Sequence, residues 1–182
     1  MTWNLDPVHS TVGFAVKHLA FSTVRGRFTG VTIKDIELDP SNLTAARGLV
    51  EVDVASVSTG EDGRDGHLRS GDFFDVESHP TLTFAVTGVD ARGGDEYTVR
   101  GDLTIKGITK PIELTGEWAG ADADPFGNKQ RAGFSLSGEI NRSEFGLTWN
   151  MPGQRLVVAE KVKLEIEIQV VEPAVEPAGA SA

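Results

Sequence analysis

Apolar and polar residues alternate along most of the chain, and helical spacing is nearly absent. In KVKLEIEIQVV, residues 161–171, Val162, Leu164, Ile166, Ile168 and Val170 fall on one side and Lys161, Lys163, Glu165, Glu167 and Gln169 on the other. One face is oil and the other is charge, the pattern of a sheet with a single wet face. DPVHSTVGFAVKH, residues 6–18, puts Val12, Phe14 and Val16 on a face with Ser10 and His18, so a polar group stands at each end of an apolar stripe. GLVEVDVASV gives Val50, Val52 and Val54, and TLTFAVTGV gives Leu82, Phe84 and Val86. YTVRGDLTIKG gives Tyr97, Val99, Leu103 and Ile105; KPIELTGEW gives Ile112, Leu114 and Trp118; RAGFSLSGEI gives Phe134, Leu136 and Ile140. In VRGRFTGVTIKDIELDP the parity changes from Phe28 to Val31 and Ile33, then to Ile36 and Leu38, which predicts bulges with Gly26 and Gly30 as bends.

Turn chemistry separates these runs at DPSN (39–42), ARGGDE (91–96) and DADPFGNK (122–129). TGEDGRDGHLRSGDFFDVESHP, residues 59–80, breaks the pattern. Its middle, 61–70, predicts one short helix weakened by Gly63 and Gly66, with Phe73 and Phe74 pinning the segment to the sheet. About eight antiparallel strands, each with one apolar face, must hide those faces in a barrel or a sandwich. A barrel removes the exposed edges, and the charged outer face excludes a lipid-embedded one. The expected fold is all-β: an extended eight-stranded antiparallel, lipocalin-like β-barrel over residues 1–171. Residues 172–182, rich in Pro, Ala and Gly, are expected to form a flexible tail.

A length of 182 residues suits one domain, and the 21 glycines suit turns and bends. With no cysteine there is no disulfide framework and no thiolate nucleophile. A formal charge of −10 argues against nucleic acid and against broad attachment to anionic membranes. No run approaches ~20 apolar residues, so no integral membrane association is expected. MTWNLDPVHS shows no signal peptide, which predicts a cytoplasmic protein.

The interior of an eight-stranded barrel either packs solid or holds one slim ligand. The inward set under test is Val12, Phe14, Val16 and Phe28, then Val50, Val52 and Phe84, then Val99, Leu103 and Leu114, and finally Trp118, Phe134 and Leu136. Alternation alone leaves solid packing and a bore both open. Gly101, Gly116 and Gly138 share the inward parity, either leaving room or letting the strands bend. His18 at one mouth and Arg142 in INRSEFG are candidates for a polar head group; a bond to a neighbouring loop or an ion pair with Glu144 or Asp102 explains them equally. Trp3 is expected to close an end, Trp118 to line or plug the bore, and Trp149 with Met151 in LTWNMPGQ (147–154) to form a lid. His9 is expected to fix the first turn with Asp6.

No GxSxG elbow, P-loop or GxGxxG after a strand occurs, and the four histidines lack metal-ligand spacing, so no catalytic or metal residue is assigned. A barrel isomerase or cyclase with one buried acid, and a stress-related protein with a solid core, remain open.

Five blocks stand in order: WNLDPVHSTVGFAVKH, VRGRFTG, HLRSGDFFDVESHPTLTF, GDLTIKGITKPIEL and INRSEFGLTW. Together they resemble the YceI-like family of bacterial polyisoprenoid-binding, lipocalin-like proteins, from about Trp3 to about Val171. The resemblance implies a barrel that holds a polyisoprenoid, isoprenoid-quinone or fatty-acyl chain along its bore, for binding, transport or storage. It implies no catalytic activity and no cofactor beyond such a lipid. The partner would be a small apolar molecule, with a homodimer through exposed strands left open. Many relatives are exported and begin with a signal peptide.

Overall fold

In a computed structural model, which describes residues 3–125, 129–153 and 157–172, the alternating runs form one curled sheet of eleven antiparallel strands. They are β1 (Asn4–Leu5), β2 (Thr11–His18), β3 (Ser22–Phe28), β4 (Val31–Glu37), β5 (Arg47–Asp53) and β6 (Val57–Ser58). After the helix α1 (Asp62–Arg69) come β7 (Thr81–Gly93), β8 (Glu96–Ile105), β9 (Ile108–Ala123), β10 (Gln130–Asn141) and β11 (Val158–Val171). The order is β4-β5-β7-β8-β9-β10-β11-β2-β3-β6, with β1 on β11. The chain is all-β and barrel-like, as its pattern predicts.

Eleven strands replace the expected eight for a local reason. β3 and β4 are halves of one strand broken at Gly30, β5 and β6 are halves of another broken by the turn Val54–Ser56, and β1 is a two-residue addition. The two breaks face each other: Asp53 N–H donates to the Gly30 carbonyl at 2.8 Å, and Ser56 Oγ accepts from Gly30 N–H at 2.9 Å. These bonds tie the two ends of the curled sheet together. The parity change at Ile36 is a bulge after Lys34, where Asp35 takes φ 51°. Gly26 is not a bulge; it sits in regular register opposite Phe14.

α1 forms where expected because Glu61 caps it, accepting from the N–H groups of Gly63 and Arg64 at 3.1 and 2.6 Å. Phe73 and Phe74 fold back onto the core beside Phe28, Val52 and Leu82. At the opposite end Trp3 is buried, donates from Nε1 to the Leu38 carbonyl at 3.0 Å and packs with Leu43, Ile168 and Val170. Asp6 holds His9 Nδ1 at 2.9 Å and also pairs with Arg131, which fastens the first turn to β10.

The β2–β3 hairpin turns through Leu19 and Ala20, both left-handed at φ 51° and 61°, closed by Phe21 N–H to the His18 carbonyl at 3.1 Å. His18 pairs with Ser22, so the loop holds three residues, two of them in the left-handed region. Gly and Asn are the usual residues there; a larger side chain costs about 1–2 kcal/mol at each such position.

Candidate functional site

The inward rows enclose two apolar chambers. The main one has a volume of ≈ 170 Å³ and lies among Val12, Phe14 and Val16 of β2, Phe28 of β3, Val50 and Val52 of β5, Phe84 of β7, Leu103 of β8, Leu114 of β9 and Leu136 of β10. The far chamber, of ≈ 110 Å³, lies toward the Trp3 end and takes Val99 and Phe134 into its wall. Val50, Leu136 and Ile168 line both, so they form a waist between them. Together, at about 280 Å³, the chambers fall just below the ~300–1,000 Å³ typical of small-ligand pockets. Trp118 lines neither chamber; it keeps the inward face opposite Phe134, with ring centroids 4.6 Å apart, and packs into the core at the Trp3 end.

The inward glycines do not leave empty space above them. A side-chain carbon on Gly26 would meet Phe14 Cζ at 2.3 Å, one on Gly101 would meet the Phe84 ring at 2.4 Å, and one on Gly138 would meet Leu114 Cδ2 at 2.6 Å. Each glycine is a seat for a neighbouring side chain, which lies against the wall and does not cross the bore. The room is made indirectly.

A mouth opens beside α1. β3 pairs with β6 only at Arg27 and Phe28, so Ser22–Gly26 has no strand next to it on that side among the described residues. α1 stands there instead, and a pocket of ≈ 340 Å³ opens between Val24, Thr59, Arg64, His67 and Trp149. Phe14, Val16, Leu68, Phe73 and Val158 line both this mouth and the main chamber, so the two adjoin across those side chains. Trp149 closes over part of it, its ring edge-on to His67 at 4.7 Å and tilted against Phe73 at 5.3 Å. Met151 is exposed on the adjacent loop, and Gln154 of the expected lid lies outside the described residues.

The mouth carries the polar groups. His18 and Lys17 reach it from β2, and the His18 side chain makes no hydrogen bond among the described residues. Arg64 donates to Thr59 Oγ1 at 2.7 Å, and His67 Nε2 meets Asp72 Oδ2 at 2.8 Å. Sequence reasoning left Arg64 and Lys17 unassigned. The available signal was the apolar trio Leu68, Phe73 and Phe74 inside an otherwise polar segment, which marks α1 as part of the barrel wall.

Arg142 is placed differently from its head-group reading. It is 3% exposed, and its guanidinium donates to four backbone carbonyls: Ala159 at 2.9 Å, Leu147 at 2.5 Å, Trp149 at 3.0 Å and Val158 at 3.0 Å. Glu160 lies 3.7 Å away, in place of the expected Glu144 or Asp102. Burial lowers its pKa from the ordinary value, and the Glu160 carboxylate opposes that shift. With its donors turned onto the chain, Arg142 clamps the loop that carries Trp149 to the start of β11.

An antiparallel barrel-like sheet with an apolar bore and a polar mouth beside it is the class that this geometry defines. The YceI-like domain model matches residues 3–170, and the chain belongs to that family. It is 35% identical over 164 residues to a UPF0312 protein of Vibrio cholerae, covering 90% of this chain and 82% of the relative. It is 34% identical over 165 residues to a UPF0312 protein of Staphylococcus epidermidis, covering 90% and 93%. Among solved structures, the Campylobacter jejuni YCEI protein superposes with TM-score 0.74 at 32% identity, covering 96% of this chain and 99% of that one. A polyisoprenoid-binding domain from Saccharophagus degradans shares the fold at TM-score 0.66 and 18% identity, covering 94% and 98%.

Proposed function

We propose that this protein binds one slim apolar chain of polyisoprenoid, isoprenoid-quinone or fatty-acyl type, without chemically changing it. The tail occupies the two chambers and the polar end rests at the mouth near His18 and Lys17. The observation that carries this reading is a carbon-lined bore that shares its wall with a mouth where polar side chains gather. A strand such as β8 spans ~33 Å, or about 25 Å along a tilted barrel axis, which suits an extended chain. Each buried methylene contributes about 0.8 kcal/mol, so a dozen contribute about 10 kcal/mol, within the range of roughly 4–15 kcal/mol that association costs. The non-catalytic part rests on the lining: among the described residues of the main chamber the one charged side chain is Arg142, and its donors are taken. The polyisoprenoid-binding neighbour with the same fold favours the same ligand class.

Purification from a bacterial host, solvent extraction and mass spectrometry test the proposal. A stoichiometric isoprenoid or acyl species is the expected result. A clean extract together with no uptake of a fluorescent isoprenoid overturns it, and turnover of the bound species overturns the non-catalytic part.

A further inference from the structure

Five large apolar side chains are well exposed among the described residues: Val8, Leu19, Phe21, Ile108 and Met151. Four of them stand at one end of the barrel. Leu19 and Phe21 form the tip of the β2–β3 hairpin, directly after the mouth residue His18. Met151 lies on the loop after Trp149, and the two sites are joined, since Leu19 N–H donates to the Val157 carbonyl while Val157 N–H donates to Asn150 Oδ1. Ile108 opens β9 on the same rim, its Cδ1 facing Gly146. Only Val8 is at the Trp3 end. Phe21 is 90% exposed, against 47% for Met151 and 41% for Leu19.

Chance would not gather bare apolar groups on the rim of a mouth that adjoins an apolar bore. The hairpin tip also departs from its cheapest sequence, holding Leu19 and Ala20 in left-handed backbone where Asn-Gly would sit without strain. Polar residues are thus absent where the backbone most favours them.

We propose that this rim docks on a lipid bilayer, with Phe21 and Leu19 entering the interface so that the mouth meets the acyl region and the ligand crosses without passing through water. The reading rests on the bore being a lipid site. A bilayer is favoured over a protein partner because the apolar groups are separate tips on a hairpin, a loop and a strand end. They do not form a continuous flat face or groove. Insertion must be driven by apolar burial, since the chain carries a net charge of −10 and the rim mixes Lys17, Arg64 and Lys106 with Asp62, Asp72 and Glu144. Docking is therefore weak, transient and insensitive to salt.

The test compares the full chain with Phe21→Ser and with Leu19→Asn/Ala20→Gly, the second of which relieves the turn and keeps the hairpin folded. Phosphatidylcholine vesicles carrying a fluorescent isoprenoid serve as donor, and the rate of transfer to the protein is read beside equilibrium uptake of the same probe from detergent. The expected result is unchanged uptake from detergent with transfer from vesicles slowed about tenfold or more in either variant, as loss of one inserted side chain implies. Unchanged transfer rates with normal uptake overturn docking while leaving the bore reading intact. Loss of all uptake by the unaltered chain overturns the bore reading itself. A dimer of the unaltered chain that Phe21→Ser dissociates in sedimentation also overturns docking, because the rim then belongs to a second copy.

Discussion

Arg142→Met separates a clamp from a head-group ligand. The substitution keeps a long apolar stem and removes the guanidinium, leaving the carbonyls of Leu147, Trp149, Val158 and Ala159 without their donor. The bond to Leu147 is buried, so that carbonyl bears the full penalty of about 1–3 kcal/mol; the other three are half-buried and recover part of theirs from water. Glu160 also loses its cation. The sum is about 4 kcal/mol, which in a domain of this size lowers Tm by roughly 10 °C. Arg142→Lys keeps the charge but offers a compact ammonium in place of a five-donor fork, so most of the loss remains. Urea and thermal unfolding followed by circular dichroism measure stability, with tryptophan fluorescence reporting on Trp149. A loss under ~1 kcal/mol joined to altered ligand selectivity would refute the clamp and restore Arg142 to the head-group site.

Three further outcomes follow from the same geometry. Leu136→Trp narrows the waist shared by the chambers, so long chains lose affinity while short ones that stop in the main chamber bind as before; equal loss for both lengths, read by titration with a chain-length series, would remove the waist as a ruler. Gly26→Val displaces the Phe14 ring into the bore at a cost of about 1–3 kcal/mol and reduces uptake of a fluorescent lipid; unimpaired uptake would mean the ring has somewhere else to go. Burial pushes the Asp6 carboxyl up, but hydrogen bonds with His9, Arg131 and the Val8 N–H outweigh this and hold it at about 2. Because the folded value is depressed, its stabilisation is present above pH ~4 and is lost as pH falls toward 2; after solvent screening it is about 1 kcal/mol, and Asp6→Asn should flatten that stretch of the stability–pH curve.

The barrel was legible because its determinants are local and periodic. Val162 to Val170 can face only one way once the register is set, and Glu61 and Ser70 bracket a helix that forms within a residue of its expected ends despite Gly63 and Gly66 inside it. The Asp6–His9 contact, three residues apart, was legible for the same reason. What failed depended on partners far along the chain. The four carbonyls that hold Arg142 belong to segments 5 to 17 residues away, and no pattern of residue types states that they converge. Parity could not show that Gly26, Gly101 and Gly138 are occupied by side chains from the adjacent strand. His18 and the Trp149 lid anticipated a mouth, but its place beside α1 escaped notice because it exists where a strand ends early, at β6, and absence has no periodicity.

An interior lined by carbon offers water nothing to hold, so the main chamber of ≈ 170 Å³ cannot be made good by solvent. At ~24 cal/mol per Å³, a void of that size leaves the empty barrel about 4 kcal/mol short of one filled to ordinary density. Occupancy and melting temperature are then two readings of one quantity: the guest finishes a core that the polypeptide leaves incomplete, and an emptied barrel is the form that proteases and heat find first.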